Sequence, residues 1–175
     1  MESAYLRHIP QEDIYLFNTG NAKKAWLCFG CRYIPELKAH RFIVWAPNAQ
    51  RVSLVGSFNG WDRDAMPMEK IEGGVWVCFA EGIENGALYK YCVTGADGRQ
   101  ILKSDPFAAY SQTGSETASI VWNGGDFRWG DGEYMQRRAK RDFMTQPMSI
   151  YELHLGSWKN MPGERPMYRE LADAL

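Results

Sequence analysis

The sequence predicts an all-β sandwich, and three observations carry that prediction. Short runs of β-branched and aromatic residues recur between residues 41 and 122, turns rich in Gly, Asp and Asn separate them, and no long helical pattern interrupts the series. Arg41, Phe42, Ile43, Val44 and Trp45 form the first run, broken by Ala46, Pro47 and Asn48. Arg51 to Val55 resumes with strict alternation, which predicts Val52 and Leu54 on a buried face and Arg51 and Ser53 on a wet one. Gly56 closes that strand, and Ser57–Asp62 follows as a polar loop carrying Phe58 and Trp61. Residues 62–74 read as loop, ending in the Gly73–Gly74 turn. In the run Val75 to Phe79, Trp76 and Cys78 share one face and Val75, Val77 and Phe79 the other. Leu88 to Val93 is the next strand, and an Asp97–Gly98 turn returns the chain through Arg99 to Leu102. Thr117 to Trp122 is the last strand.

Both flanks differ in pattern. Ile9, Ile14, Leu16 and Phe17 are candidate docking residues in a mixed N-terminal stretch. Ala22, Ala25, Trp26 and Phe29 recur at helical spacing, which predicts a short helix with Asn21 as its cap and Gly30 near its end. Beyond Asn123, Gly124 and Gly125 have linker character, and residues 133–141 read as a basic helix stopped before Pro147. Met148 to Trp158 then reads as a new strand, and Pro166 to Leu175 as the first turns of an amphipathic helix. One β/α unit cannot bury its own faces, so a second domain is expected to start there. The division is 1–40, an N-terminal segment with a short helix; 41–124, the sandwich; 125–147, a linker with a short helix; and 148–175, the opening of a truncated barrel. On this reading Ile150, Leu153, Leu155 and Leu171 lack burial.

Composition narrows the function. The chain has 175 residues, 45% hydrophobic, with seven Trp, enough for a core with aromatic surface to spare. Its net charge of −1, from 20 basic and 21 acidic residues, favours neither nucleic acid nor an anionic membrane as partner. No apolar run approaches the ~20 residues of a membrane span, and Met1–Phe17 lacks the pattern of a secretory signal. A cytoplasmic protein is expected. Cys28 and Cys31 form a CxxC, but Cys78 and Cys92 supply neither a second CxxC nor a nearby His. The four thiols are expected to serve as small apolar residues, with no metal site and no cofactor. The loop offers better chemistry: an indole stacks on the apolar face of a flat, hydroxyl-rich ligand, and an amide bonds its edge. Trp61 and Asn59 stand together there.

WAPNA followed by VSLVGSFNGWD resembles the β-sandwich module that precedes the barrel in glycogen and starch branching enzymes, with relatives in isoamylases and in the β subunit of the AMP-activated kinase. PMSIYELHLGSW resembles the first barrel strand of bacterial-type 1,4-α-glucan branching enzymes, and the DPFA…TAS and WGDGEYMQRR stretches are similar to that family's linking region. The resemblance runs from about residue 17 onward. It implies an immunoglobulin-like sandwich of the early-set, glycogen-binding type, with a truncated β/α tail. It implies α-1,4-glucan (glycogen, starch or maltooligosaccharide) as ligand and the missing catalytic barrel as a partner.

In the related kinase module a Trp, a Lys and a second hairpin Trp hold glucan. Trp61 and Lys90 match the first two, Asn59 lies beside them, and Arg99 to Lys103 occupies the place of the third. Trp45, Trp76 and Trp122 lie in strands and are expected in the core.

No catalytic residue is carried over, because the family's carboxylates sit on later barrel strands. Asp62 with Asp64, and Asp131 with Glu133, lie in turns or at a helix start, where carboxylates cap backbone N–H groups. His154 is expected in a buried strand, and Ser157 has no His–Asp partners in a recognisable motif. Three readings remain: the N-terminal module of a branching enzyme, inactive alone and at most glucan-binding; a stand-alone glucan-binding or regulatory module; or a domain that only positions the barrel.

Overall fold

The computed structural model describes residues 3–124, 128–158 and 168–175. It divides into two compact units, residues 1–126 and 127–175. The first unit runs α1 (Ser3–Leu6), α2 (Gln11–Asn18), β1 (Gly30–Ile34), β2 (Ala39–Trp45), β3 (Arg51–Gly56), β4 (Glu69–Ile71), β5 (Val75–Glu81), β6 (Leu88–Thr94), β7 (Gln100–Lys103), β8 (Tyr110–Ser111) and β9 (Ser119–Ile120). One antiparallel sheet has the order β1-β2-β5-β4, and the other has β3-β6-β9-β8 with β7 also on β6. The all-β expectation holds.

The centre of the first sheet is buried on both faces. Phe42 and Val44 of β2 and Trp76 of β5 pack into the sandwich core with Val52, Leu54, Tyr89, Tyr91 and Val121. Ile43, Val75 and Val77 point the other way, into a second cluster with Ile9, Ile14, Cys28 and Phe29. That explains why both strands read as nearly unbroken apolar runs. The expected split of β5 into two faces is what the structure shows, and Ile9 and Ile14 dock as anticipated.

Three local expectations fail. The short helix forms at α2, eleven residues upstream of the predicted one. Pro10 leads into it, and Glu12 and Asp13 occupy its first turn, where carboxylates favour the helix N-terminus. Residues 22–29 instead make one 3-10 turn, Ala25–Leu27, because Cys28 and Phe29 are drawn into the second cluster. Gly30 then enters β1 at φ +82°, where a Cβ would lie 2.6 Å from the Phe107 carbonyl oxygen. Second, residues 62–74 are not all loop, since β4 pairs with the edge of β5. Third, Ser53 is buried, because Leu54 N–H donates to Met66 O and Met68 N–H to Val52 O, each at 2.9 Å. The 66–68 segment thereby covers the free edge of β3.

Two buried charges tie the unit together. Arg41 donates to His8 O at 2.7 Å and to Cys28 O at 2.9 Å, fastening the N-terminal segment to β2, while its Nε has no partner among the described residues. Burial lowers its pKa. Asp105 Oδ2 accepts from Tyr89 OH at 2.6 Å and Tyr91 OH at 3.1 Å, and Oδ1 accepts from Phe107 N–H at 2.8 Å. Burial raises the Asp105 pKa, and those hydrogen bonds oppose but do not cancel the effect. The thiols are free, and burial pushes Cys28 up to about 11 and Cys78 up to about 12, so they stay protonated and apolar.

In the second unit, α3 (Gly132–Ala139) agrees with the expected basic helix. Helix α4 (Tyr168–Ala174) agrees with the expected terminal one, while its expected start at Pro166 and the linker residue Gly125 fall outside the described residues. No strand forms over residues 148–158. A barrel strand takes its hydrogen bonds from neighbours on both sides, and the described residues of this unit contain no other strand. Ile150 is 82% exposed and Leu155 is also exposed, whereas Leu153 is half-buried and Leu171, against expectation, is buried. His154 is exposed, with Nδ1 3.0 Å from Ser157 Oγ across one turn.

Replacing Arg41 by Ala leaves two buried carbonyls unmatched and is expected to cost about 2–4 kcal/mol, measured by urea unfolding. Asp105→Asn tests the second charge. Because the folded pKa is raised, the carboxyl's contribution is fully present below its unfolded pKa and is lost as pH rises through the folded one. The stability of the parent chain relative to Asp105→Asn should therefore fall across that window in paired urea unfolding curves.

Candidate functional site

The loop after β3 is built to hold one indole outward. The β3 strand ends at Gly56, where an added Cβ would lie 2.3 Å from Leu88 O and 2.5 Å from the Phe58 ring, so only glycine lets β3 approach β6 this closely. Ser57–Asn59 makes a 3-10 turn. Gly60 and Trp61 then adopt φ +64° and +62° in succession. The left-handed region costs a bulky residue about 1–2 kcal/mol, and such strain at an exposed aromatic marks a position worth testing for function. Trp61 N–H donates to Gly56 O at 2.9 Å, which closes the loop on itself. The side chain is 37% exposed, so the ring is neither core nor free in water.

The Asn59 amide is engaged within the loop. Its Oδ1 accepts from Gly56 N–H at 2.9 Å and its Nδ2 donates to Leu54 O at 3.0 Å, so both ends of the amide brace the loop from within. An Asn followed by Gly in a tight turn is a signal for such bracing. Lys90 sits on β6 opposite Val55, one pair from the Gly56–Tyr89 position where the loop begins. The register brings Lys90 and the Trp61 loop to one end of the same strand pair. Its Nζ donates to Thr117 Oγ1 at 2.7 Å, a contact no sequence pattern announced. The far side of the loop is tied down by Arg51 with Asp64 at 2.7 Å, by Asp64 N–H to Asp62 Oδ1 at 2.9 Å, and by Arg63 to Gln100 Oε1 at 3.1 Å. Asp62 and Asp64 are thus turn and ion-pair groups, as their sequence context implied. At the hairpin position that lacks a Trp, Ile101 and Leu102 are both exposed.

The other Trp residues divide. Trp76 is buried and donates to Ala46 O at 2.9 Å, as expected of a core residue. Trp45 and Trp122 are 48% and 41% exposed, against expectation: Trp45 is the last residue of β2, and Trp122 follows β9 beyond its last pair. Their neighbours Val44 and Val121 point into the sandwich core, so both indoles alternate to the outer faces, Trp45 beside Phe17 and Trp122 beside Tyr110. Among the described residues no group of His, Cys, Asp or Glu could hold a metal ion. The His154–Ser157 contact has no carboxylate partner among the described residues and is a turn contact.

Comparison with known proteins identifies relatives of the chain. The family of Carbohydrate-binding module 48 (Isoamylase N-terminal domain) matches residues 28–108. The 1,4-alpha-glucan branching enzyme GlgB of Rubrobacter xylanophilus is 45% identical over 167 residues, 93% of this chain and 23% of that protein. Those of Nitratidesulfovibrio vulgaris and Pseudomonas aeruginosa are 41% and 42% identical over 93% of this chain and 27% and 23% of their own length. Over nearly its whole length the chain is thus similar to 1,4-α-glucan branching enzymes. It is similar to the N-terminal part of those enzymes and spans about a quarter of the length of the curated relatives it matches. Among the described residues no helix is long and apolar enough to cross a membrane.

Asn59→Ala should destabilise the module by about 1–3 kcal/mol, because Gly56 N–H and Leu54 O lose their partner. Trp61→Gly should instead leave stability equal or slightly higher, through relief of the left-handed strain. Paired thermal melts of the two variants check both signs.

Proposed function

We propose that this module binds α-1,4-glucan with Trp61 as the stacking platform and Lys90 as a donor at its rim. Asn59 acts as the brace that presents Trp61 rather than as a ligand contact. One observation carries the reading: an aromatic ring is held partly exposed, in a strained backbone conformation, by a loop that the Asn59 amide braces from within at both its ends. A pyranose ring offers an apolar C–H face to the indole and hydroxyls to the ammonium. Lys90 is already engaged with Thr117 Oγ1, so sugar binding adds to or replaces that bond.

The whole enzyme, on this proposal, is cytoplasmic and forms α-1,6 branches by retaining transglycosylation of α-1,4-glucan. The carboxylates for that step belong to the catalytic barrel. Residues 148–175 are the barrel's opening, which the similarity to branching enzymes supports. The module by itself is inactive in branching and delivers glucan to the barrel. The exposed Ile101 and Leu102 in the β7 hairpin, where a second Trp would add a platform, favour weak binding over tight.

Titration of the 175-residue chain with maltoheptaose, followed calorimetrically, tests the proposal. Saturable binding that Trp61→Ala weakens tenfold or more, about 1.4 kcal/mol or above, is the expected result. An absence of binding by the unsubstituted chain would leave the module as a positioning domain for the barrel.

A further inference from the structure

The second sheet has two edges. Trp61 follows β3 at one of them, and the other edge, at β8, carries a groove of about 460 Å3 that the Trp61 site does not use. Its lining includes Arg32, Tyr33, Pro35, Ala109, Trp122 and Asn123. Arg32 and Tyr33 belong to β1, the edge of the first sheet, so the groove runs between the free edges of both sheets. Tyr110 of β8 stands beside Trp122, the ring centroids 5.4 Å apart and tilted by 54°. Tyr33, Tyr110 and Trp122 are 42%, 51% and 41% exposed. The sandwich has a core in which Phe42, Tyr89 and Tyr91 are fully buried, so three rings left in water around one groove mark a surface that something covers.

The polar groups of the groove say what covers it. Buried His40 lies with Nε2 2.8 Å from Asn123 Oδ1. An amide oxygen only accepts, so the imidazole carries its proton on Nε2, and the Asn123 Nδ2 is turned away from the ring as a donor with no partner among the described residues. The Asn123 backbone N–H is held by Asn85 Oδ1 at 2.9 Å, which fixes the residue from behind. Arg32 donates to Cys31 O at 3.2 Å and to Trp26 O, and its guanidinium has further N–H groups to give. Among the described residues the lining contains no carboxylate. Rings flanked by N–H donors suit a neutral, hydroxyl-bearing ring that stacks by its C–H face and accepts hydrogen bonds at its rim. An apolar occupant would leave the Arg32 and Asn123 donors buried and unmatched.

We propose that this groove is a second α-glucan site, recognised by Tyr33, Tyr110 and Trp122 as platforms and by Asn123 and Arg32 as donors. The proposal rests on the glucan-binding reading of the module. The two sites lie at opposite edges of one sheet and share no residue, so they act independently on short chains. A glucan long enough to reach both is held by avidity, without any new contact.

Calorimetric titration of the 175-residue chain with maltoheptaose separates the possibilities. The unsubstituted chain should bind at two sites, and Trp61→Ala should retain one. In the Trp61→Ala background, Trp122→Ala and Tyr33→Ala should each weaken the remaining binding by about threefold or more. Asn123→Asp, which swaps a donor for an acceptor and keeps every ring, should weaken it too, and stands in if Trp122→Ala does not fold. Loss of all binding in Trp61→Ala alone would overturn the second site while upholding the first. Residual binding in Trp61→Ala that none of the three groove substitutions weakens would also overturn it. No binding by the unsubstituted chain would overturn both.

Discussion

The pairing of β2 with β5 is the constraint on which the rest of the unit depends. Seven residue pairs, from Ala39 with Glu81 to Trp45 with Val75, join two strands that are apolar on both faces. Such a pair is stable only when covered twice. The second sheet covers one face, bringing Tyr89 and Tyr91 against Phe42. The N-terminal segment covers the other, with Phe29 and Ile14 against Ile43 and Val77. Fully burying a large apolar side chain stabilises the fold by about 1.5–3 kcal/mol, so exposing either face would cost several such contributions at once. The buried Arg41, bonded to two backbone carbonyls, is the polar counterpart of this arrangement: it fixes where the covering segment sits.

Function is displaced to the places this doubly covered core cannot reach. At the end of β3 the chain leaves the sheet through Gly56, and the Asn59 side chain replaces the missing ladder with two hydrogen bonds of its own. The outcome is a rigid loop that exposes an indole. At the opposite edge β8 and β9 are only two residues long, and aromatics beside and beyond them stay exposed because no strand faces them. Rigid frames with aromatic edges arise here from one cause, the termination of strands around a core that is already full.

Much of the sandwich was legible in the chain. The alternation of Val75 to Phe79 named both faces of β5 correctly, and the Asp97–Gly98 turn located the β6–β7 hairpin. Trp61 was legible as an exposed aromatic because it follows a glycine in a polar loop. Other features were not. Ser53 alternates as a wet residue but is buried, since the segment that covers it comes from Met66–Met68, and period-2 reading sees one strand at a time. The pattern at residues 22–29 fitted a helix, yet the pull of Cys28 and Phe29 into a shared core outweighed a weak local propensity. The buried carboxyl of Asp105 sat in plain view in a DPFA motif, but its two tyrosine partners lie on another strand.

By itself, then, the sequence determined the fold class, the run of strands and turns, the similarity to branching enzymes and the ring at residue 61, because local periodicity and short motifs encode them within a few residues. Only the tertiary structure decided that Asn59 faces inward, that Lys90 meets Thr117, that Trp122 lies outside the core, and that Met148–Trp158 forms no strand here. Each of those depends on groups far apart in the chain. A hydrogen bond, a covering segment or a neighbouring strand acts through distance in space, and one residue's pattern holds no record of it.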